Sequence, residues 1–273
     1  MPRSVTVTYS VWPKPEAVAR AAARLFAESA AAAAEARGVA RLAISGGSTP
    51  KRMFALLADP AQPFRAQVPW DTLKLYWVDE RCVPPSDPES NYHSARETML
   101  DDVPLLPENI FRMEGELDPE EAANRYETFL RNSMRLEGAE LPTFDLILLG
   151  MGDDGHTASL FPHTGAINEL GRLVVANHVP QKDTWRITLT WPVINQGREV
   201  VFLIEGSAKA DVLAEVLLGL RDPERLPSQL IRPANGRLGF LLDEAAAAKL
   251  PPPPVAFTSR DGTGKVGTLE LGR

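Results

Sequence analysis

Blocks of apolar residues alternate along the chain with stretches patterned at helical spacing. Val5, Val7 and Tyr9 alternate with Thr6 and Thr8, which predicts a half-buried, edge-like strand. Residues 15–37 are alanine-rich, with Val18, Ala22, Leu25, Phe26 and Ser29 on one helical face and Gly38 as the stop. A short buried strand at 42–44 leads into a helix at 49–58, with Pro50 in its first turn, where a missing N–H is harmless. A strand at 73–78, a loop at 84–88 and a helix at 92–100 follow. The helix predicted at 119–136 turns Ala122, Tyr126, Phe129 and Leu130 inward. Residues 144–149 form the most apolar strand and belong at the centre of a sheet, buried on both faces. Strands at 173–176, 186–189, 200–204 and 238–242, a helix at 208–218 and a short helix at 244–250 complete the pattern.

This alternation of strands and helices implies parallel β-α-β units. There is no internal repeat and no linker long enough to separate two domains, so residues 1–250 read as one α/β domain. The composition changes at residues 251–254, four prolines without an N–H donor. Beyond them, two strand-like pieces flank Asp261-Gly262, a hairpin-turn signal. The segment 251–273 is thus either an added edge hairpin or a loosely held tail.

A chain of 273 residues that is 44% hydrophobic can bury a sizeable core. Its net charge of −7 argues against a nucleic-acid polyanion as partner, though not against a small anion held by a local cluster of donors. Cys82 is the only cysteine, so no intrachain disulfide forms, which fits a reducing compartment. No apolar stretch approaches the ~20 residues that span a bilayer, and the N-terminus lacks the apolar block of a signal peptide. The default expectation is a soluble cytoplasmic protein without membrane association.

Three strand ends carry chemistry. Ser45-Gly46-Gly47-Ser48-Thr49-Pro50 joins a strand to a helix, where glycines expose backbone N–H groups and the helix adds its positive end. That cup suits a phosphate; the alternative is a tight turn with a serine or threonine N-cap. The spacing of this loop is neither GxGxxG nor GxxxxGK[ST], so it carries neither nucleotide fingerprint. Asp79-Glu80-Arg81 closes the second strand and Gly150–Ser159 follows the third, with Asp153 and Asp154 just ahead of His156. A carboxylate beside an imidazole fixes its tautomer and strengthens it as a general base. Asp153, Asp154 and His156 are adjacent rather than at metal-ligand spacing, so no catalytic metal is expected. No GxSxG elbow supports a serine nucleophile. Cys82 reads as a packing residue although Arg81 precedes it. His93, His163 and His178 lack comparable surroundings, though His163 lies close enough in sequence to flank the site.

The motifs SGGSTP, VDERCVPPSDPESNY and FDLILLGMGDDGHTASLFP, in this order, resemble the glucosamine-6-phosphate isomerase/6-phosphogluconolactonase family. The resemblance spans roughly residues 5–250 and is closest to the lactonase branch. It implies a three-layer single α/β domain with a largely parallel central sheet flanked by helices. The implied reaction is hydrolysis of 6-phospho-D-glucono-1,5-lactone in the oxidative pentose phosphate pathway, without metal or organic cofactor. It also implies that the substrate phosphate sits on Gly46, Gly47, Ser48 and Thr49, with Arg186 and Lys209 reaching it, and that His156 is the base. Asp154 is then expected to orient the imidazole, and Arg81 or glycine-loop N–H groups to meet the oxyanion. Asp79 matches the proton-abstracting aspartate of the isomerases; in a lactonase it is expected to shape or polarise the site.

The isomerase/deaminase branch has a segment resembling GHIAFNEP. This chain reads GHTASLFP, with Phe161 in place of the glutamate, and it has Arg81 where those relatives have tyrosine. Both departures favour the lactonase over an aldose–ketose isomerase or deaminase. A non-enzymatic sugar-phosphate-binding protein is the other rival, but no helix-turn-helix segment accompanies the motifs. The expected partner is a phosphorylated sugar lactone, and the expected assembly a monomer or small homo-oligomer.

Overall fold

A computed structural model of the chain describes residues 5–259 and 262–271. In chain order, β1 (Val5–Trp12) is followed by α1 (Pro15–Arg37), β2 (Ala40–Ile44), α2 (Ser48–Ala58), α3 (Pro63–Gln67), β3 (Leu73–Trp77) and β4 (Asp79–Arg81). Next come α4 (Asn91–Ala95), β5 (Ile110–Phe111), α5 (Pro119–Met134), β6 (Leu146–Leu149), β7 (Val174–Val179) and β8 (Thr184–Leu189). The chain continues through α6 (Trp191–Ile194), β9 (Glu199–Ile204), α7 (Ala210–Leu218), β10 (Arg237–Asp243), β11 (Val255–Ser259) and β12 (Gly262–Leu271).

Nine strands form one sheet in the order β11-β12-β1-β10-β9-β6-β2-β3-β5. Every neighbouring pair from β1 to β5 is parallel, and only β12 runs against the rest, antiparallel to both β1 and β11. This is the α/β architecture expected from the alternation of elements. The chain builds outward from β2 through β3 to β5, then returns to the other side of β2 with β6, β9 and β10. The β2–β6 boundary is therefore a switch point, and a crevice opens at the carboxyl ends of strands on either side of it.

The core sits on both faces of the central strands. All four residues of β6 are buried, as its unbroken apolar run requires. Phe202 of β9 stacks on Phe240 of β10 with ring centroids 4.9 Å apart, and Tyr76 of β3 meets Phe111 and Phe144. On α1, Val18, Ala22 and Phe26 are buried, while Leu25 and Ser29 lie on the flank of that face. Gly38 ends this helix at φ +72°, a left-handed conformation suited to glycine. Each large buried side chain contributes about 1.5–3 kcal/mol through apolar burial. Among the described residues no helix is long and apolar enough to cross a membrane.

Several elements differ from the sequence pattern. β1 is not an edge, because β12 pairs along it from Val5↔Leu271 to Val11↔Lys265. β4, β8 and β7 form a separate three-stranded antiparallel sheet rather than further parallel units. The helix expected at 92–100 is α4 followed by a π-type turn at Arg96–Leu100. The helix expected at 244–250 is a series of turns. Asp243 accepts from the Ala246 N–H there, and the prolines from 251 onward forbid continuation. Asp261, half of the expected hairpin turn, lies outside the described residues.

Candidate active site

The carboxyl ends of β2, β6 and β9, together with β4, β8 and the loop after β6, enclose one cleft of about 320 Å³. Gly46, Gly47, Ser48 and Thr49 line one part of it, and His156, Asp79, Arg81, Arg186 and Lys209 line the rest. Three strand ends far apart in sequence thus open into a common space. Ser45 binds two of them together, its hydroxyl donating to the Leu148 carbonyl at 3.0 Å.

The glycine loop enters α2 through Gly47 at φ +120°, a conformation closed to side-chain-bearing residues. A Cβ at Gly46 would overlap the Asn91 side chain. No side chain among the described residues caps α2, so the serine or threonine N-cap weighed as an alternative is not found. The first-turn N–H groups of this 11-residue helix and the Ser48 and Thr49 hydroxyls are the donors of the cup.

Across the cleft, Nδ1 of His156 and Oδ1 of Asp154 are 2.6 Å apart. The same oxygen accepts the His156 backbone N–H at 3.1 Å. Burial pushes the Asp154 carboxyl up, but the hydrogen bonds and charge of His156 outweigh it and bring the pKa down to about 2. An ionised carboxylate only accepts, so Nδ1 carries the proton and Nε2 keeps its lone pair. Phe161 stacks on the imidazole with centroids 4.0 Å apart, fixing the ring plane. Gly152 makes the pair attainable, since a Cβ there would overlap both His156 Nδ1 and Asp154 Oδ1. Gly155, at φ +78°, completes the turn.

The cations and Asp79 come from the small antiparallel sheet and from the end of β9. Arg81 and Arg186 are cross-strand partners on β4 and β8. Desolvation, then the charge of Arg81, lower the Arg186 pKa, so two guanidiniums share one wall with incomplete neutralisation. Lys209 pairs with Asp153, while Asp154 turns to His156, so the adjacent aspartates serve different partners. Asp79 is buried and its Oδ2 accepts from the Ser159 hydroxyl at 2.7 Å. Burial pushes the Cys82 thiol up to about 11, in keeping with a packing role.

The roles of some residues in and behind the cleft escaped the sequence reading. Lys182, at the β7–β8 turn, lines it and lies 5.9 Å over the Phe161 ring. Glu80 is buried and accepts from the backbone N–H groups of Arg81, Asn91 and Tyr92 and from the Ser90 hydroxyl. It buckles the loop that carries Asn91 to the cup. Burial nevertheless leaves its pKa raised. Ser228 donates to the Gly155 carbonyl through both its backbone N–H and its hydroxyl, bracing the histidine turn from a distant segment. The remaining histidines lie elsewhere: His163 is exposed beside Glu224, His93 pairs with Glu97, and His178 packs on Trp185.

The Asp154–His156 pair has a pH signature. The carboxyl stays ionised down to about pH 2 when folded, whereas an unfolded aspartate protonates near about 3.9. Its stabilising contribution is full above about pH 4 and is lost as the pH falls toward 2. Asp154 is 46% exposed, so screening keeps that contribution under about 1 kcal/mol. Urea denaturation of Asp154→Asn against the parent chain is expected to show a gap at pH 6 that closes toward pH 2. A gap independent of pH would contradict the pairing.

The chain is similar to known proteins over most of its length. A 6-phosphogluconolactonase of Synechocystis sp. is 42% identical over 217 residues, 79% of this chain and 87% of that protein. A 6-phosphogluconolactonase of Mycobacterium tuberculosis is 38% identical over 254 residues, covering 88% of this chain and 97% of the relative. The structure of 6-phosphogluconolactonase from Trypanosoma cruzi superposes with a TM-score of 0.78 at 29% identity, covering 91% of this chain and 98% of that one. Residues 13–240 match the family described as glucosamine-6-phosphate isomerases/6-phosphogluconolactonase, and the chain belongs to that family.

Proposed function

We propose that this chain hydrolyses 6-phospho-D-glucono-1,5-lactone to 6-phosphogluconate, a step of the oxidative pentose phosphate pathway. One observation carries the reading: an uncapped glycine cup and an Asp-paired imidazole open into the same cleft. The names of the Synechocystis and Mycobacterium tuberculosis relatives support it.

The phosphate binds at the amides of Gly46, Gly47, Ser48 and Thr49, with Arg186 and Lys209 completing its coordination. Holding a remote dianion turns binding energy into orientation of the lactone carbonyl. Nε2 of His156 takes a proton from water as its oxygen bonds to C1. Asp154 stabilises the imidazolium that forms. Arg81, beside Arg186 on the neighbouring strand, meets the charge on the carbonyl oxygen. Collapse of the tetrahedral intermediate breaks the bond from C1 to the ring oxygen, which takes its proton back from His156. Asp79, held by Ser159, shapes the wall and accepts from a sugar hydroxyl.

Isomerisation or deamination requires further acid–base groups to move protons between sugar carbons. The side chain against the imidazole is instead Phe161, which can neither donate nor accept a proton. This favours hydrolysis over the second reading.

The direct test supplies fresh 6-phosphogluconolactone and follows acid release, corrected for spontaneous hydrolysis. Acid release at the background rate, or release of ammonia from glucosamine 6-phosphate instead, would overturn the assignment. His156→Ala is expected to lower kcat about 10²–10⁴-fold, the usual share of a positioned general base. Near-normal turnover in the folded variant would remove His156 from the mechanism. Arg186→Ala is expected to raise KM about tenfold to a hundredfold with a smaller effect on kcat, since a charge-assisted bond contributes about 1.5–3 kcal/mol. An unchanged KM would move the phosphate anchor elsewhere.

A further inference from the structure

One carboxylate in the cleft has no part in the hydrolysis just described. Glu205 follows β9 directly and lines the cleft with Ser48, Thr49 and Lys209. Its side chain is only 8% exposed. One oxygen, Oε2, is paired with Arg52 of α2. The other, Oε1, is buried and accepts no hydrogen bond of good geometry from the described residues, although the Thr49 hydroxyl lies beside the carboxylate. A carboxylate in the wall of an anion cup is a repulsive element, and an orphaned oxygen there adds a desolvation cost. Both are removed together if Oε1 carries a proton and donates it to a phosphate oxygen.

We propose that Glu205 is a protonation-dependent phosphate ligand, so that a phosphate monoester binds this cleft together with one proton taken from solvent onto Oε1. This rests on the phosphate reading of the Gly46–Thr49 cup and deepens it. The charged groups around Glu205 fit that role. Arg52 neutralises Oε2 from the α2 side but is 44% exposed and leaves Oε1 unserved. Lys209, on the same wall, is engaged by Asp153. Asp243, at the end of β10, accepts from the N–H of Gly206, so a second carboxylate stands behind the site. Burial already pushes the Glu205 carboxyl up, Arg52 and Thr49 pull it down without reversing the rise, and Asp243 adds to it. An arriving dianion acts in the same direction as Asp243 and raises it further.

The sign of the pH dependence follows. Above about pH 7 a phosphate monoester is already a dianion, since its second pKa is about 6. If binding then draws in one proton, affinity falls about tenfold for each further pH unit. Glu205→Gln keeps the shape, stays neutral and offers a permanent N–H donor, so its affinity is independent of pH in that range.

Calorimetric titration with glucose 6-phosphate, a phosphate monoester with no carboxylate to draw a proton onto His156, tests this between about pH 7 and 9, in two buffers of different ionisation enthalpy so that proton uptake is counted. Expected are uptake of close to one proton and a Kd rising near tenfold per unit in the parent chain. In Glu205→Gln the expected results are no uptake, a flat profile and tighter binding at pH 9. Glu205→Ala, also flat but weaker than Glu205→Gln at every pH, separates loss of charge from loss of the donor. Equal slopes in the parent chain and Glu205→Gln, or no proton uptake by the parent, would overturn the role of Glu205 while leaving the phosphate cup in place. No binding by any of the three proteins would overturn the cup and this inference with it.

Discussion

Asp154 decides which nitrogen of His156 carries the ring proton. An ionised carboxylate accepts hydrogen bonds and cannot donate them, so the 2.6 Å contact puts the ring proton on Nδ1 and frees Nε2. Much of the surrounding structure serves that contact. Gly152 is required because a side chain would fill the space the pair occupies. Gly155 turns the chain back, Ser228 braces its carbonyl, and Phe161 holds the ring plane. The apolar strand β6 sets the origin of the turn, and its complete burial makes that origin rigid.

A second theme is the distribution of charge. The chain is acidic overall, yet Arg81, Arg186, Lys182 and Lys209 gather at one cleft. The two guanidiniums are cross-strand neighbours, and like charges so placed repel. The small antiparallel sheet exists at the cleft to present that pair, with Glu80 pinning the following loop against it. Like charges gathered in this way cost stability, as is common where a fold breaks its own rules for a site.

Fold and site differed in how far they could be read from the chain. The parallel strands were legible because burial on both faces leaves continuous apolar runs, as in residues 144–149, and α1 was legible from its spacing and its glycine stop. The position of β1 was not, because its alternating pattern resembles an edge and only long-range pairing with β12 covers it. The β7–β8 hairpin reads in the sequence like further parallel units because strand direction leaves no mark in apolar periodicity. At the site, the glycine cup, Asp154 and His156 stood out through local motif chemistry. Lys182, Glu80 and Ser228 did not, since their importance arises from contacts made across long sequence separations. Glu205 carried one legible signal, a lone acid closing an apolar strand, but only its buried, unpartnered oxygen gives that signal meaning.

The proposed hydrolysis needs the phosphate at one end of the cleft and the reacting carbon at the imidazole. A crystal structure with 6-phosphogluconate bound tests it most directly. The phosphorus is expected at the amides of Gly46–Thr49 and the C1 carboxylate within hydrogen-bond reach of Nε2 of a protonated His156. A phosphate held away from that loop, or a C1 group turned from His156, would contradict it.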